Sequence, residues 1–175
     1  MHSKIKVLFV CLGNICRSPI AHAIMQSNIN HLNLTNIFEI ESKGTCSFHI
    51  DEPPDTRSLK ILHKHNIIFN HNAQQIAAND LYYYDYILAM DHLNYEHIIS
   101  MDNANPKLRE KIFLLRSFEP HNDTDFDMPD PYYCPEKEFE EVYNICVKSI
   151  NGFINFLLKQ NHLPITNKLN ISNNL

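Results

Sequence analysis

Two side chains that can do chemistry together, the thiol of Cys11 and the guanidinium of Arg17, stand in one short segment, CLGNICRSP (residues 11–19). Gly13 and Asn14 lie between them, and both residue types tolerate the left-handed backbone of a tight turn. An arginine side chain can bind two phosphate oxygens at once. A positive charge beside a cysteine favours the thiolate, which is the nucleophilic form. The segment therefore predicts a loop that binds an oxyanion and attacks it through sulfur.

The residues on both sides of this loop indicate how it is held. IKVLFV (5–10) is a continuous apolar run, as expected for a buried strand. Ser18 suits a helix N-cap and Pro19 the first helical position. A loop between a strand and a helix N-terminus directs N–H groups towards one point, where an anion can bind. Because neither Gly-Lys-Ser/Thr nor GxGxxG occurs, we predict nucleophilic attack at phosphorus rather than nucleotide binding.

The segment NDTDFDMPDPYY (122–133) is rich in aspartate and could supply an acid or bind a cation. A calcium loop is excluded, because Met128 stands where it needs glycine and Cys134 where it needs glutamate. The three aspartates that have the opening spacing of such a loop are Asp123, Asp125 and Asp127. We predict that these three lie in a solvated acidic loop.

Apolar runs alternate along the chain with segments of helical periodicity. This alternation predicts a parallel sheet with helical crossovers. The strands are predicted at 5–10, 36–42, 84–90 and 111–117. The helices are predicted at 18–31, at 55–66, shortly after Asn72, at 92–100 and from Pro135 to about Lys159.

We predict a single α/β domain over residues 1–160, with a four-stranded parallel sheet and helices on both faces. In such sheets the ligand cleft lies at the carboxyl ends of the strands, here beyond the first strand. Residues 161–175 are polar and aperiodic, and we expect this tail to be loosely ordered.

Composition limits the function classes. The chain is 44% apolar and 20% charged, with a formal net charge of −5. This negative balance argues against nucleic-acid binding. No apolar run approaches a membrane span, and Asn14 and Arg17 interrupt the N-terminal run, unlike a signal peptide. The five cysteines are then expected to be reduced. We expect a cytoplasmic monomer with no membrane contact, no metal and no cofactor.

CLGNICRSP closely resembles the signature of the low-molecular-weight protein tyrosine phosphatases. The resemblance continues in order through SKGTCSFHIDEPPDTRSLKILHKHNI, HNAQQ with DYILAMD, and DPYY, over roughly residues 4–158. Four ordered segments are much stronger evidence than one cysteine and one arginine. The resemblance implies a flavodoxin-like, phosphotyrosine phosphatase I-like fold. It also implies hydrolysis of phosphotyrosine in protein substrates through a phosphocysteine intermediate.

The resemblance also implies a role for each residue of the site. Cys11 is the nucleophile, Arg17 binds the phosphoryl oxygens, and Ser18 stabilises the thiolate. Asp130 protonates the leaving phenol and then activates water. Cys16 forms a disulfide with Cys11 that protects the nucleophile from irreversible oxidation.

Other residues are implied to contact the substrate or to support the loop. Asn14 holds the shape of the loop through Ser42 and His71, whose roles are structural. The substrate-binding residues beyond the catalytic set are Leu12, Gly13, Asn14, Ile15, Cys16 and Ser18 in the loop, and Phe48, Tyr132 and Tyr133 around the substrate ring.

Rival functions differ from this interpretation at particular residues. An arsenate reductase of the same architecture needs resolving cysteines near the middle of the chain, and none lies between Cys46 and Cys134. An arginine phosphatase favours threonine where Ile15 stands. A catalytically idle phosphotyrosine-binding module would not need the catalytic set.

Three departures from the family pattern affect partner choice rather than chemistry. They are His22 in place of a frequent glutamate, Asp51 in place of a frequent glycine, and HNAQQ in place of HKARQ.

Overall fold

A computed structural model describes residues 4–160 of the chain. These residues contain four strands, β1 (Ile5–Cys11), β2 (Phe38–Gly44), β3 (Tyr86–Ala89) and β4 (Ile112–Leu114). The strands form one sheet in the order β2-β1-β3-β4, in which every neighbouring pair is parallel. The prediction of a four-stranded parallel sheet is confirmed, although β3 and β4 are shorter than the apolar runs that contain them.

Helices cover both faces of the sheet, as predicted. They are α1 (Arg17–His31), α2 (Thr56–Lys64), α3 (Asp80–Tyr83), α4 (His92–Ser100) and α5 (Lys137–Lys159), with two 3₁₀ turns at Pro106–Lys111 and Leu115–Phe118. Within residues 4–160 no helix is both long enough and apolar enough to cross a membrane. The predicted tail, 161–175, lies outside the described residues.

The side chains of the central strand β1 show why helices must pack on both faces of the sheet. Val7 and Phe9 point into the core that α1, α2 and α5 share, whereas Leu8 and Val10 point into the core under α3 and α4. All four side chains are completely buried. A strand covered on both faces has no polar side, which is the reason for its continuous apolar sequence.

The short helix predicted after Asn72 is present as α3, but it begins only at Asp80. Before it, residues 73–76 run extended along the outer edge of β2, where Gly44 N–H donates to the Gln74 carbonyl and Ile76 N–H to the Gly44 carbonyl. These contacts use the open edge of the sheet, so tertiary pairing replaces local helix propensity. The long C-terminal helix begins at Lys137, two residues later than predicted from Pro135.

The strand order locates the cleft. β1 has β2 on one side and β3 on the other, and the chain crosses over one face to reach β2 and over the other to reach β3. The two crossovers therefore diverge beyond the carboxyl end of β1 and leave a crevice there. The loop that fills this crevice is the one between Cys11 and Arg17.

Candidate active site

The loop after β1 folds back around the sulfur of Cys11. Asn14 has a φ of 56°, in the left-handed region, and its N–H donates to Cys11 Sγ over 3.2 Å. Ser18 Oγ lies 3.0 Å from the same sulfur. The prediction that Ser18 caps α1 is wrong, since the helix begins at Arg17 and its cap residue, Cys16, makes no side-chain cap bond. The Ser18 hydroxyl faces the thiol instead.

A buried polar network lies under the loop and is centred on the side-chain amide of Asn14. Its Nδ2 donates to Ser18 Oγ over 2.9 Å and to Ser42 Oγ over 3.0 Å. Its Oδ1 accepts from His71 Nε2 over 2.8 Å and from the Gln74 N–H over 2.9 Å. Every hydrogen-bonding position of the amide is therefore occupied, which holds the left-handed residue in place.

Two glycines are required by close packing rather than by unusual backbone angles. Gly13 was expected to share the left-handed conformation, but only Asn14 in the loop adopts it. A Cβ on Gly13 would lie 3.0 Å from the His49 ring, and one on Gly44 would lie 2.7 Å from the Leu12 carbonyl oxygen. Gly44 was missed by sequence reasoning because the contact joins the end of β2 to the loop after β1, which are distant in the chain.

Arg17 is almost completely buried, at 3% exposure, and binds two carboxylates. Its Nη1 donates to Asp91 Oδ2 over 2.6 Å and to the Met128 carbonyl over 3.2 Å, and its Nη2 donates to Asp130 Oδ2 over 2.8 Å. Burial alone lowers the pKa of Arg17, but the negative charges of Cys11, Asp130 and Asp91 outweigh it and raise that pKa. The guanidinium therefore stays charged inside the protein.

Asp91 was not singled out by sequence reasoning. It lies two residues beyond the end of β3, the strand that pairs with β1, and therefore at the carboxyl end of the sheet beside the loop. The strand predicted at 84–90 already implied this position. Asp91 also accepts from the Asn94 N–H and so caps α4. One carboxylate thus fixes the start of a helix and one side of Arg17.

Asp130 and the two tyrosines after it lie on a segment that Arg57 fastens to the domain. Arg57 donates to the backbone carbonyls of Tyr132 over 2.9 Å and Cys134 over 3.0 Å. Its guanidinium also pairs with Asp55, which lowers the pKa of Asp55 through their hydrogen bond. Arg57 is therefore a supporting residue that sequence reasoning missed.

The three aspartates of the predicted solvated acidic loop, Asp123, Asp125 and Asp127, are all exposed, and two of them also make contacts with the rest of the chain. Asp125 pairs with Arg116 over 2.9 Å, and Asp127 accepts from the His92 N–H over 2.7 Å. Arg116 itself is buried and also donates to the Asp127 carbonyl. These contacts attach the acidic segment to the 3₁₀ turn at Leu115–Phe118 and to α4, which no local pattern indicates.

The loop and the tyrosine segment enclose a cleft of about 310 Å³. The upper part is apolar and open, with Phe48 80% exposed and Tyr133 95% exposed. Asn14, Ser18, Ser42 and His71 lie beneath the lining rather than in it. The lining residues are Cys11, Leu12, Gly13, Ile15, Cys16, Arg17, Cys46, Phe48, His49, Asp130, Tyr132 and Tyr133.

The two cysteines of the loop differ in their chemistry. Both are free thiols and both are buried. Burial first, and then the negative charges of Asp55 and Cys11, raise the pKa of Cys16 to about 12. Cys16 is therefore held as a neutral thiol at neutral pH, and its disulfide with Cys11 stays a prediction.

The cleft joins three functions that an ester hydrolysis needs. It holds a sulfur nucleophile at its floor, a buried cation beside it, and an exposed carboxylate at 2.8 Å from that cation. The N–H groups of Gly13, Ile15 and Cys16 donate to no other group in residues 4–160 and are available to an anion. The arrangement suits an oxyanion ester whose leaving group lies towards Asp130 and the aromatic residues.

Comparisons with known proteins agree with this geometry. Residues 6–163 match the family model described as low molecular weight phosphotyrosine protein phosphatase. The phosphatase of that name from Gallus gallus is 40% identical over 148 residues, which are 85% of this chain and 92% of the relative.

Solved structures extend the likeness to the fold. A protein tyrosine phosphatase from Entamoeba histolytica matches with a TM-score of 0.82 and 35% identity, over 92% of this chain and 100% of that chain. DARP, a drosophila arginine phosphatase, matches with a TM-score of 0.79 and 33% identity, over 86% of this chain and 96% of that chain. The family model and the Gallus gallus relative each cover most of the chain, which confirms the resemblance found in the sequence. The chain therefore belongs to the low molecular weight phosphotyrosine protein phosphatase family of enzymes.

Proposed function

We propose that this protein tyrosine phosphatase acts through three residues of the cleft, Cys11, Arg17 and Asp130. In the first step the Cys11 thiolate attacks phosphorus and the bond from phosphorus to the tyrosyl oxygen breaks. Asp130 gives its proton to that oxygen, so tyrosine leaves as a neutral phenol. Phosphate is then bound covalently to sulfur.

The second step reverses the role of Asp130. Its carboxylate takes a proton from water, the water oxygen attacks phosphorus, and the bond from phosphorus to sulfur breaks. Inorganic phosphate leaves, and Cys11 returns as a thiolate that the Asn14 N–H and the Ser18 hydroxyl stabilise. Arg17 and the free N–H groups of the loop bind the phosphoryl oxygens in both steps. No step needs a metal ion, so we expect activity to persist in EDTA.

One observation carries this assignment: the contact of 2.8 Å between Arg17 Nη2 and Asp130 Oδ2. It puts the acid beside the cation that binds the phosphoryl group, although 112 residues separate them in the chain. A phosphate that binds Arg17 competes with Asp130 for the same N–H groups. Displacement of the carboxylate from Arg17 leaves it next to the leaving oxygen.

The aromatic rim favours a phenyl ring in a protein substrate. Tyr132 and Tyr133 pack edge to face with their ring centres 4.8 Å apart, and Phe48 also lines the cleft. A phosphotyrosine ring entering between them buries apolar surface on both of its faces. We propose phosphotyrosine-containing proteins as substrates, and a monomer acting in the cytoplasm.

Trapping of the phosphoenzyme tests the assignment directly. Rapid acid quench of Asp130→Asn with p-nitrophenyl phosphate should leave one phosphate per chain on Cys11, located by peptide mass spectrometry. The activated phenol needs little help to leave, whereas loss of the base slows hydrolysis of the intermediate. Cys11→Ser should form none, and Cys46→Ser should form the same phosphoenzyme. Phosphate on Cys46, or turnover by Cys11→Ser, would contradict the proposal.

A second candidate substrate is phosphoarginine, because the drosophila arginine phosphatase shares 33% identity with this chain. Ile15 is the residue that we expect to favour phosphotyrosine over phosphoarginine. It lines the cleft and is 8% exposed. A guanidinium N–H held against this branched apolar side chain would lose its water without gaining a partner, at a cost of about 1–3 kcal/mol.

Competition between the two substrates checks this choice. We expect kcat/KM for phosphotyrosine to exceed that for phosphoarginine by at least about tenfold. Ile15→Thr should narrow the difference by supplying a hydroxyl, and Ile15→Val serves as the control that shortens the side chain without adding one. Equal rates in the unmodified enzyme would show that Ile15 does not face the substrate.

A further inference from the structure

Three potential metal ligands come together beneath the active-site loop, outside the catalytic cleft. They are His22 on α1, Glu41 on β2 and His71 on the extended segment along the edge of β2. One ligand atom from each lies within 4.8 Å of the others. Two histidines and a glutamate are a known zinc ligand set, with bonds of about 2.0–2.2 Å. Movement of about an ångström by these side chains brings all three into such bonds.

The hydrogen bonds of Asn14 determine which nitrogen of His71 is free. A backbone N–H can only donate, so the bond from Gln74 identifies the Asn14 atom that receives it as the carbonyl oxygen. His71 Nε2, at 2.8 Å from the same oxygen, must then carry a proton. The neutral ring keeps its lone pair on Nδ1, and no group in residues 4–160 donates to that atom. Histidines that bind metals commonly donate their other N–H to an oxygen in this way.

Both imidazoles are buried, His22 with 8% and His71 with 9% exposure, and a neutral imidazole is the form that binds a metal. The rings lie edge to face with centres 5.7 Å apart. His22 Nδ1 makes only a long contact of 3.3 Å to Ser42 Oγ.

Glu41 supplies the negative charge of the group. Its side chain is half-buried, and within residues 4–160 it makes no hydrogen bond and no ion pair. Lys43, the nearest cation on the same strand, is instead paired with Asp80 over 2.8 Å. A divalent cation would give this carboxylate the partner that it lacks.

The site is open to solvent on one side. His71 lines a groove at the protein surface together with Asp51, Asn70, Asn72 and Gln74. This groove shares no lining residue with the catalytic cleft. The other side is closed by Phe69, whose ring lies 4.9 Å from His22 and 5.7 Å from His71, centre to centre.

We propose that His22, Glu41 and His71 bind one divalent transition-metal ion, with zinc preferred for this ligand set. Water from the groove completes the coordination. Binding through Nδ1 leaves the bond from His71 Nε2 to Asn14 intact, so the ion braces the loop that carries Cys11 without entering the reaction. An ion that binds only the folded chain raises the temperature of unfolding.

Cobalt(II) is the probe, because its absorption separates nitrogen and oxygen ligands from thiolates. Titration of the full-length, metal-stripped chain should show one equivalent bound, with visible d–d bands and no near-ultraviolet thiolate-to-cobalt band. Zinc should displace the cobalt, as expected from their order of affinity. A thiolate band with the first equivalent would place the metal at the cysteines and overturn the proposal.

Variants then test each ligand. Glu41→Gln and His22→Gln should each weaken cobalt binding at least about tenfold and abolish the zinc-dependent rise in unfolding temperature. His97→Gln, on the exposed side of α4, is the matched control and should bind like the unmodified chain. Glu41 is half-exposed, so its variant is expected to fold even where His22→Gln does not. Unchanged binding by Glu41→Gln would overturn the proposal.

Discussion

The floor and the rim of the cleft are built in opposite ways. We call Cys11, Asn14, Ser18, Ser42 and His71 the floor. Each of these side chains is buried, and each hydrogen-bonds to at least one other member. Low exposure and full bonding leave the floor a single arrangement.

The rim consists of Leu12, Phe48, Tyr132 and Tyr133. Leu12, Phe48 and Tyr133 are largely exposed, and none of the four side chains donates or accepts a hydrogen bond within residues 4–160. Tyr132 also packs against the core, whereas the apolar surface of Leu12, Phe48 and Tyr133 is covered only when something enters the cleft. The difference indicates that chemistry is preorganised in the floor, whereas recognition depends on contacts that the substrate completes.

The largest expected effect comes from replacing Arg17, the cation that lies beside the floor. Arg17→Lys should lower kcat/KM for phosphotyrosine about 100- to 1000-fold, because an ammonium cannot contact Asp91 and two phosphoryl oxygens with one planar group. Steady-state kinetics measure the loss. Arg109→Lys, at an exposed arginine, is the control and should behave like the unmodified enzyme. Near-normal kcat/KM for Arg17→Lys would mean that Arg17 only supports packing.

The next prediction concerns Asn14, where two substitutions distinguish the loss of its side-chain hydrogen bonds from the strain of its left-handed backbone. Asn14→Ala should lower the free energy of unfolding by about 3 kcal/mol, since it leaves buried partners unpaired and puts alanine at a φ of 56°. Asn14→Gly tolerates that φ, so it should recover about 1 kcal/mol of the loss. Denaturant unfolding measures both. Equal stability of the glycine variant and the unmodified chain would show that the amide contributes nothing.

Acid should lower the free energy of unfolding through His22, whose ring contacts Ser42 of the floor. Its pKa of about 3 when folded lies below the ordinary value of 6.5, so between these values the unfolded chain binds more protons. Stability is therefore lost as pH falls through that window, by roughly 2–3 kcal/mol between pH 6.5 and pH 4.5. Unfolding at both values should show a smaller loss in His22→Gln, with His97→Gln as the control. Identical losses in all three proteins would contradict this account.

The smallest effect belongs to the rim. Phe48→Ala should raise KM for a phosphotyrosine peptide a few-fold, about 1 kcal/mol, and leave kcat nearly unchanged. The reason is that an exposed ring adds substrate contact without touching the reacting atoms. Ile68→Ala removes another exposed apolar side chain outside the cleft lining and should change neither constant. A fall in kcat for Phe48→Ala would mean that the rim also positions the phosphoryl group.

Most of the sheet could be predicted from sequence, because a strand buried on two faces must be apolar throughout. The predictions failed where a partner distant in the chain decides the structure. Residues 73–76 pair with the edge of β2, so the helix predicted after Asn72 begins only at Asp80. Likewise, Ser18 faces the thiol rather than capping α1. Local propensity is worth only a fraction of these contacts.

The sequence by itself determined the loop chemistry and the family, because Cys11, Asn14 and Arg17 lie in one continuous segment. It could not determine that Asp91 and Asp130 both meet Arg17, or that Arg57 holds the tyrosine segment. It also showed no metal-binding spacing, and yet the fold groups one glutamate with two histidines. These groups of side chains come from strands, helices and loops that are distant in the chain. Only the tertiary structure, through strand order and packing, decides which of those distant residues become neighbours.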